Sequence, residues 1–259
     1  MQPFIIIIPA RKASTRLPGK MLADIAGVPM VVRVAQRALA SGASDIYIAT
    51  DDPTIAQVAS NFGLKALITS TDHPSGTDRL TEAVSLLGLP DHAIVVNVQG
   101  DEPLMDPSLI QQVATLAASD TEVAIATCAA PIEHAQQFFN PNIVKVVCDQ
   151  RGHALYFSRA PIPWNRDALS EGREELAEGT AALHHIGLYA YRVSFLKKFP
   201  NLSRGVLESI ESLEQLRALE HGFKIAVLKI PSHPGAGVDT QEDLDRVRLI
   251  LASEEPKSG

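Results

Sequence analysis

The 259-residue sequence predicts an α/β fold: a doubly wound, mostly parallel sheet with a smaller antiparallel region set into it. Three observations carry that prediction. Short apolar runs alternate with helical patterns over about the first half of the chain, the rhythm of βαβ units. The first run, four isoleucines at 5–8, shows no polar alternation and reads as a strand buried on both faces. Between about 131 and 203 the rhythm fails and hairpin signals replace it. An apolar fraction of 46% and a charged fraction of 20% are ordinary for a globular chain, and the length suits one large domain or two small ones; the pattern is read as one domain over residues 1–259.

In chain order, the strand at 5–8 runs into a loop of small and cationic residues. Residues 29–40 place apolar side chains at helical spacing and stop at Ser41-Gly42. Residues 46–49 form a buried strand ending in Thr50-Asp51-Asp52-Pro53, a helix start, so 53–61 is the next helix. Strand 64–68, helix 78–87, strand 93–98, helix 107–118 and strand 122–127 follow, with right-handed crossovers. Residues 143–148 and 154–157, separated by Asp149-Gln150-Arg151-Gly152-His153, read as a hairpin. Beyond Pro161, Pro163 and Trp164, the charged stretch 166–178 is expected to be a mobile loop. Strand 188–193, helix 209–220, strand 225–230 and helix 241–251 complete the pattern, and the polar tail at 252–259 is expected to fray.

A net charge of -7 argues against a general nucleic-acid binder. The two cysteines, Cys128 and Cys148, form no C-x-x-C pair and read as reduced core residues. No apolar run approaches the roughly 20 residues of a membrane-spanning helix, and the N-terminus lacks a basic leader. The expectation is a cytoplasmic protein without membrane insertion.

Against this acidic background, Arg11, Lys12, Arg16 and Lys20 gather in the loop after the first strand, where open α/β sheets bind ligands. Gly19-Lys20 suggests a P-loop, but Ser14 stands at the first glycine position and Met21 at the final Ser/Thr position, so it is not one. The loop is either inert and solvated or a grip for a polyphosphate, with a nucleoside triphosphate the first candidate. A second constellation, Asn97-Val98-Gln99-Gly100-Asp101-Glu102-Pro103, ends a strand in carboxylates. Asp101 is either a turn acid or a ligand holding Mg²⁺ against phosphates. A third, 231–240, precedes the last helix; Asp239 either caps that helix or supplies a second Mg²⁺ ligand. Ser75-Gly76-Thr77-Asp78-Arg79 is an N-cap or a loop that lets backbone amides approach a base. Arg159, in an aromatic and proline-rich turn, makes an ion pair or clamps a sugar carboxylate. His184-His185 lacks zinc-ligand spacing, so packing or substrate contact is favoured. No nucleophile has an adjacent base, and no Asp-x-Asp motif is present for a metal-dependent glycosyltransferase.

The segment Pro9-Ala10-Arg11, continuing at Ser14-Thr15-Arg16-Leu17-Pro18-Gly19-Lys20, resembles the nucleotide-binding signature of sugar nucleotidyltransferases, which have Rossmann-like folds. Residues 73–79, 97–103, 156–164, 185–191 and 211–217 narrow the resemblance to the 3-deoxy-manno-octulosonate cytidylyltransferases, over about residues 4–247. The resemblance implies transfer of CMP from CTP to the anomeric hydroxyl of 3-deoxy-D-manno-octulosonate (Kdo), with release of pyrophosphate, activating Kdo for lipopolysaccharide synthesis. It implies that Arg11 and Lys20 hold the triphosphate with Arg16 nearby, that Ala10 and Asp101 also belong to the nucleotide site, that Ser75, Gly76 and Thr77 border the base and ribose, and that Arg79 supports that loop. Asp101 and Asp239 would hold Mg²⁺, and Lys20, Asp101, Asp239 and Arg11 would form the catalytic set. Gln99, Arg159, His185, Tyr189, Glu211 and Gln215 would contact Kdo. It also implies a homodimer, with 131–203 at the subunit interface. Pro74 and Lys12 depart from the family pattern. The remaining alternatives are the same transfer to a related acid sugar, 8-amino-Kdo or a sialic acid, and a non-catalytic nucleotide-sensing module.

Overall fold

The computed structural model describes residues 3–12, 14, 16–167, 169, 176, 181–235 and 237–254. Strand β1 (Phe4–Ala10) leads through a two-strand ribbon, β2 (Asp24–Ile25) and β3 (Val28–Pro29), into α1 (Met30–Leu39). Then come β4 (Asp45–Thr50), α2 (Pro53–Asn61), β5 (Lys65–Ile68), α3 (Gly76–Leu86), β6 (Ile94–Asn97), α4 (Pro107–Ser119) and β7 (Val123–Pro131). The interrupting region holds α5 (Ala135–Phe139), the hairpin β8 (Lys145–Cys148) and β9 (Ala154–Ser158), and β10 (Leu183–Arg192). The chain finishes with α6 (Val193–Leu196), α7 (Val206–Glu211), α8 (Gln215–Glu220), β11 (Lys224–Lys229) and α9 (Gln241–Glu254).

The main path of the sheet runs β11-β7-β10-β6-β1-β4-β5. β1 pairs in parallel with β4 and β6, β4 with β5, and β11 with β7. β10 is antiparallel to both its neighbours, β6 and β7. The antiparallel region is therefore not an appendage at one edge: its longest strand joins the two parallel halves, and the β8–β9 hairpin hangs from its start.

The isoleucine run explains the layering. Ile6 and Ile8 pack on the α1 and α4 side against Val31, Val34 and Ile110, while Ile7 packs on the opposite side with Leu80 and Val84 of α3. All three isoleucines are fully buried, which contributes roughly 1.5–3 kcal/mol per side chain. Asp52 caps α2 by accepting the Thr54 N–H at 2.6 Å, with Pro53 at the first helical position, and Asp106 caps α4 through Ser108 N–H at 2.8 Å in the same way.

Several expectations need correction. The helix expected at 209–220 is two short helices, because Ser212 takes a left-handed conformation (φ 53°) between them. That break turns Glu211 toward β9 and Gln215 toward the centre of the protein. The strand expected at 188–193 begins at Leu183 and that expected at 122–127 continues to Pro131, since each pairs with the other along its extra length. Helix α3 starts at Gly76 because Ser75 accepts the Asp78 N–H at 3.2 Å. Most of the loop expected at 166–178 lies outside the described residues. Of those described, Leu169 is buried beside Ile132, Phe138 and Ala182, and Leu176 packs on the same cluster. The tail expected to fray from 252 remains helical to Glu254, and 255–259 lie outside the described residues. Among the described residues no helix is long and apolar enough to cross a membrane.

Candidate active site

A cavity of about 440 Å³ opens where β1 and β6 end, facing the N-terminus of α3. Loops leaving adjacent parallel strands diverge there, so the topology itself makes a cleft. The loop after β1 contributes Arg11 and Ser14, the loop after β6 contributes Gln99 and Asp101, and α3 contributes Gly76 and Thr77. Gly100 is needed for the close approach of the two loops: a Cβ there would sit 2.9 Å from Met21 Sδ and 3.0 Å from the Pro9 carbonyl oxygen.

Lys20 is the focus of the acidic side. Gly19, with φ at 70°, starts a single 3₁₀ turn over Lys20–Leu22 that turns the lysine inward, where it is only 8% exposed. Its ammonium donates to Asp101 Oδ2 at 2.6 Å and to Asp239 Oδ1 at 3.1 Å. Arg16 reaches the same Asp239 oxygen at 3.0 Å. Burial acts to lower the Lys20 pKa, but the two carboxylates outweigh it and the net shift is upward, so the ammonium is charged at neutral pH. Asp239 arrives from the far end of the chain because Val238 N–H donates to the Asp101 carbonyl at 2.8 Å. Gly237 permits that contact, since a Cβ there would lie 2.9 Å from Glu102 Oε1 and 3.2 Å from the Asp101 carbonyl oxygen. Burial, then Asp101 and Asp239, push the Glu102 carboxyl up to about 7.

The donor chemistry suits Mg²⁺. Two carboxylates from separate loops already share one positive charge, and Mg²⁺ is typically held by one or two carboxylates, with water and phosphate oxygens completing its shell. Among the described residues no group of three or more His, Cys, Asp or Glu side chains is placed to hold an ion by itself, unlike a closed zinc cage.

The residues expected to serve the nucleotide divide into three roles. Arg11, Lys20, Gly76, Thr77 and Asp101 line the cavity. Ala10 is the buried last residue of β1, Arg16 and Asp239 complete the ion-pair cluster, and Ser75 caps α3. Arg79 does not reach the cavity. It is fully buried and its guanidinium bonds Asp51 Oδ2 at 2.9 Å and the Thr69 hydroxyl.

The expected sugar contacts divide as well. Gln99, Tyr189 and Gln215 line the cavity. His185 is behind that wall, its ring against Phe157 and Tyr189 with centroids 4.9 and 5.3 Å away and its Nε2 3.0 Å from the Thr127 hydroxyl. An irregularity in β10 between Ile186 and Tyr189 brings His185 beside Tyr189, and Thr127 Oγ1 lies within bonding distance of the Ile186 and Leu188 carbonyls there. Arg159 and Glu211 tie β9 to α7 instead of lining the cavity. Glu211 accepts from Ser158 Oγ at 2.6 Å and from Arg159 N–H at 2.9 Å, while Arg159 Nε donates to the Glu211 carbonyl at 2.8 Å and Nη1 to the Pro141 carbonyl at 3.0 Å.

Wall residues to which the sequence assigns no individual role include Asn97, Tyr191, Phe199 and Glu214. Asn97 ends β6 and its Oδ1 is buried without a hydrogen-bond partner, while Glu214 accepts a hydrogen bond from the Thr77 hydroxyl. The signals available were the polar end of an apolar strand for Asn97 and adjacency to Gln215 for Glu214. Tyr191 ends the 185–191 segment that carries the resemblance, and Phe199 has no sequence signal beyond ordinary core apolarity.

Residues 5–225 match the profile of a family described as Cytidylyltransferase. The chain belongs to that family. This cytidylyltransferase is 57% identical over 245 residues to a protein of Herminiimonas arsenicoxydans named 3-deoxy-manno-octulosonate cytidylyltransferase, covering 95% of this chain and 97% of the relative. A protein of the same name from Methylibium petroleiphilum (strain ATCC BAA-1232 / LMG 22953 / PM1) is 54% identical over 253 residues, covering 96% and 95%. The solved structure of CMP:2-keto-3-deoxy-manno-octonic acid synthetase complexed with CTP is 40% identical and covers 98% of this cytidylyltransferase and 100% of its own chain, with a TM-score of 0.89. A cytidylyltransferase from Leptospira borgpetersenii serovar Hardjo-bovis (strain JB197), at 17% identity, a TM-score of 0.61 and coverage of 100% and 90%, shares the fold.

Proposed function

We propose that this enzyme transfers CMP from CTP to the anomeric C2 hydroxyl of Kdo and releases pyrophosphate. The observation that carries the reading is the convergence of Lys20, Asp101 and Asp239 at the mouth of a cavity also lined by Arg11, in a chain with relatives of that name at 54–57% identity over nearly its full length. The hydroxyl oxygen forms a new bond to the α-phosphorus as the bond from that phosphorus to the bridging oxygen breaks. The hydroxyl proton passes to solvent water, and the electron pair of the broken phosphorus–oxygen bond leaves with pyrophosphate. Such a transfer depends on alignment and charge neutralisation, with no covalent enzyme intermediate.

Arg11 and the Lys20 ammonium supply positive charge for the β- and γ-phosphates and for the charge that grows on pyrophosphate. Gly76 and Thr77 form the opposite wall, against the nucleoside. Gln99, Tyr189 and Gln215 face the sugar, with Asn97 and Glu214 adding hydrogen-bond acceptors for its hydroxyls. Asp101 and Asp239 would hold Mg²⁺, which when bound supplies Lewis-acid charge and lowers the pKa of the attacking hydroxyl. We assign the enzyme to the cytoplasm, in keeping with the unpaired Cys128 and Cys148. We also propose a homodimer through the 131–203 region, on the strength of its exposed Phe139, Leu155 and Trp164.

The test is pyrophosphate release with each of the four nucleoside triphosphates against Kdo, 8-amino-Kdo and a sialic acid, with and without Mg²⁺. Turnover confined to CTP and Kdo is expected. Equal turnover with a sialic acid, or none with CTP, would overturn the reading. Sedimentation velocity of the wild type and of a Leu155→Glu variant tests the dimer, which is lost in the variant if the interface is placed correctly.

A further inference from the structure

We propose that Asp51 is a positioning residue: its carboxylate ties the loop after β1 to the N-terminus of α3 and so fixes the spacing of the two walls that hold the nucleotide. The inference rests on the cytidylyl-transfer reading above. Ala10 pairs with Thr50 across the parallel β1–β4 ladder, and Thr69 N–H donates to the Thr50 carbonyl at 2.9 Å. The ends of three neighbouring strands are thus level, and Asp51 emerges between the other two.

Its two oxygens serve different partners. Oδ1 accepts the Lys12 backbone N–H at 3.0 Å, one residue after Arg11. Oδ2 accepts from Arg79 Nη2 at 2.9 Å, two residues after Thr77. Arg11 and Thr77 are opposite walls of the cavity, and Asp51 touches neither the cavity nor the reacting atoms. Arg79 is fully buried and also reaches the Thr69 hydroxyl, so it transmits any shift of Asp51 directly to α3. A buried guanidinium needs a carboxylate partner, which fixes Asp51 as firmly as Asp51 fixes the loop. The neighbouring Asp52 has a separate task, capping α2 and taking the Lys12 ammonium at 3.2 Å. The Lys12 side chain is 78% exposed, so the tie uses that residue's main-chain N–H. This accounts for a side chain that departs from the family pattern there without disturbing the site.

The experiment uses the full chain carrying Asp51→Asn, which keeps the size but cannot accept from both donors. CTP affinity by calorimetry is expected to weaken about tenfold, equivalent to about 1.4 kcal/mol, and the KM for CTP to rise in parallel. The KM for Kdo and kcat at saturating CTP are expected to stay within about twofold. Hydrogen–deuterium exchange is expected to speed up together in peptides covering 9–21 and 74–80. Arg79→Lys keeps the buried charge but loosens the tie, and must move the same observables in the same direction, which preserves the test if Asp51→Asn fails to fold. Unchanged CTP affinity, an equal loss for both substrates, or faster exchange on one wall only would overturn the proposal. A purely structural role would lower the melting temperature without splitting the two KM values. If the wild type itself binds no CTP, the cytidylyl reading fails, and the coupled exchange still judges the tie on its own.

Discussion

Acidification should weaken this fold through His185 before most carboxylates titrate. The ring is almost fully buried against Phe157 and Tyr189, and its Nε2 lies 3.0 Å from the Thr127 hydroxyl. A hydroxyl proton directed at the Leu188 carbonyl, 2.8 Å away, leaves Thr127 accepting from an Nε2–H, which assigns the neutral tautomer. Burial, and then neighbouring His184, push the His185 pKa down from 6.5 to about 3. In the unfolded chain the imidazole titrates at about 6.5, so between the two values the unfolded state binds a proton that the native state lacks. The contribution is fully present above pH 6.5 and is lost as pH falls toward 3. At pH 5, about 1.5 units below the unfolded pKa, the loss is about 2 kcal/mol. For a chain of this size that is about 4–8 °C in Tm. His184, pushed down to about 4 chiefly by burial, adds a loss of the same sign. The assay is urea unfolding at pH 7.5 and pH 5 for the wild type and for His185→Asn, with imidazole NMR on the folded protein. The wild type should lose about 2 kcal/mol more than the variant over that interval. An imidazole of His185 that titrates near its ordinary value, or identical pH slopes in the two proteins, would refute the reasoning.

Two other perturbations test the acidic side of the cavity. Lys20→Met removes the cation shared by Asp101 and Asp239, so Mn²⁺ measured by electron paramagnetic resonance should bind the nucleotide-free protein more tightly, while CTP turnover falls about 100-fold or more; unchanged Mn²⁺ affinity would contradict the ion-pair geometry. Gly237→Val places a Cβ 2.9 Å from Glu102 Oε1 and 3.2 Å from the Asp101 carbonyl, so the Asp239 loop must shift and kcat should drop about 100-fold with little change in circular dichroism; wild-type kcat would show that the close approach is dispensable.

The parallel half of the sheet was legible in the sequence because each of its strands is a short apolar run closed by turn or capping residues: 5–8 before the cationic loop, 46–49 before Asp52-Pro53, 93–98 before Gly100. Those same boundaries exposed Arg11, Lys20 and Asp101, whose chemistry starts where the apolar run stops. The place of Asp239 beside Lys20 was legible only together with them, because nothing local distinguishes a member of that ion-pair cluster from a helix cap. The central position of β10 was not legible, since its partners lie about 60 to 100 residues upstream and no local pattern records which edges it joins. Nor was the left-handed Ser212 that splits the expected 209–220 helix, a conformation that residue preference disfavours. Arg159 reads in sequence as either an ion-pair residue or a clamp for a sugar carboxylate, and Glu211 enters only through the resemblance; that the two engage each other and nearby main chain depends on the meeting of β9 and α7, which no local pattern records. The wall residues Tyr191 and Phe199 look like core in sequence because they are core on one side and cavity on the other.

The placement of β10 also sets the order in which the protein becomes complete as it is synthesised. Strands β5, β4, β1 and β6 are all made within the first 97 residues, and β7 is finished at Pro131, yet β6 lacks its β10 neighbour until Leu183–Arg192 leaves the ribosome and β7 lacks both neighbours, its partner β11 following only at Lys224–Lys229. During that interval the open edges present apolar strands with unsatisfied main-chain groups, the condition that favours pairing with another nascent chain. A stop codon placed before residue 183 should therefore yield aggregates, not a smaller soluble domain, and the β8–β9 hairpin made in between cannot close the sheet, because its own sheet partner is β10.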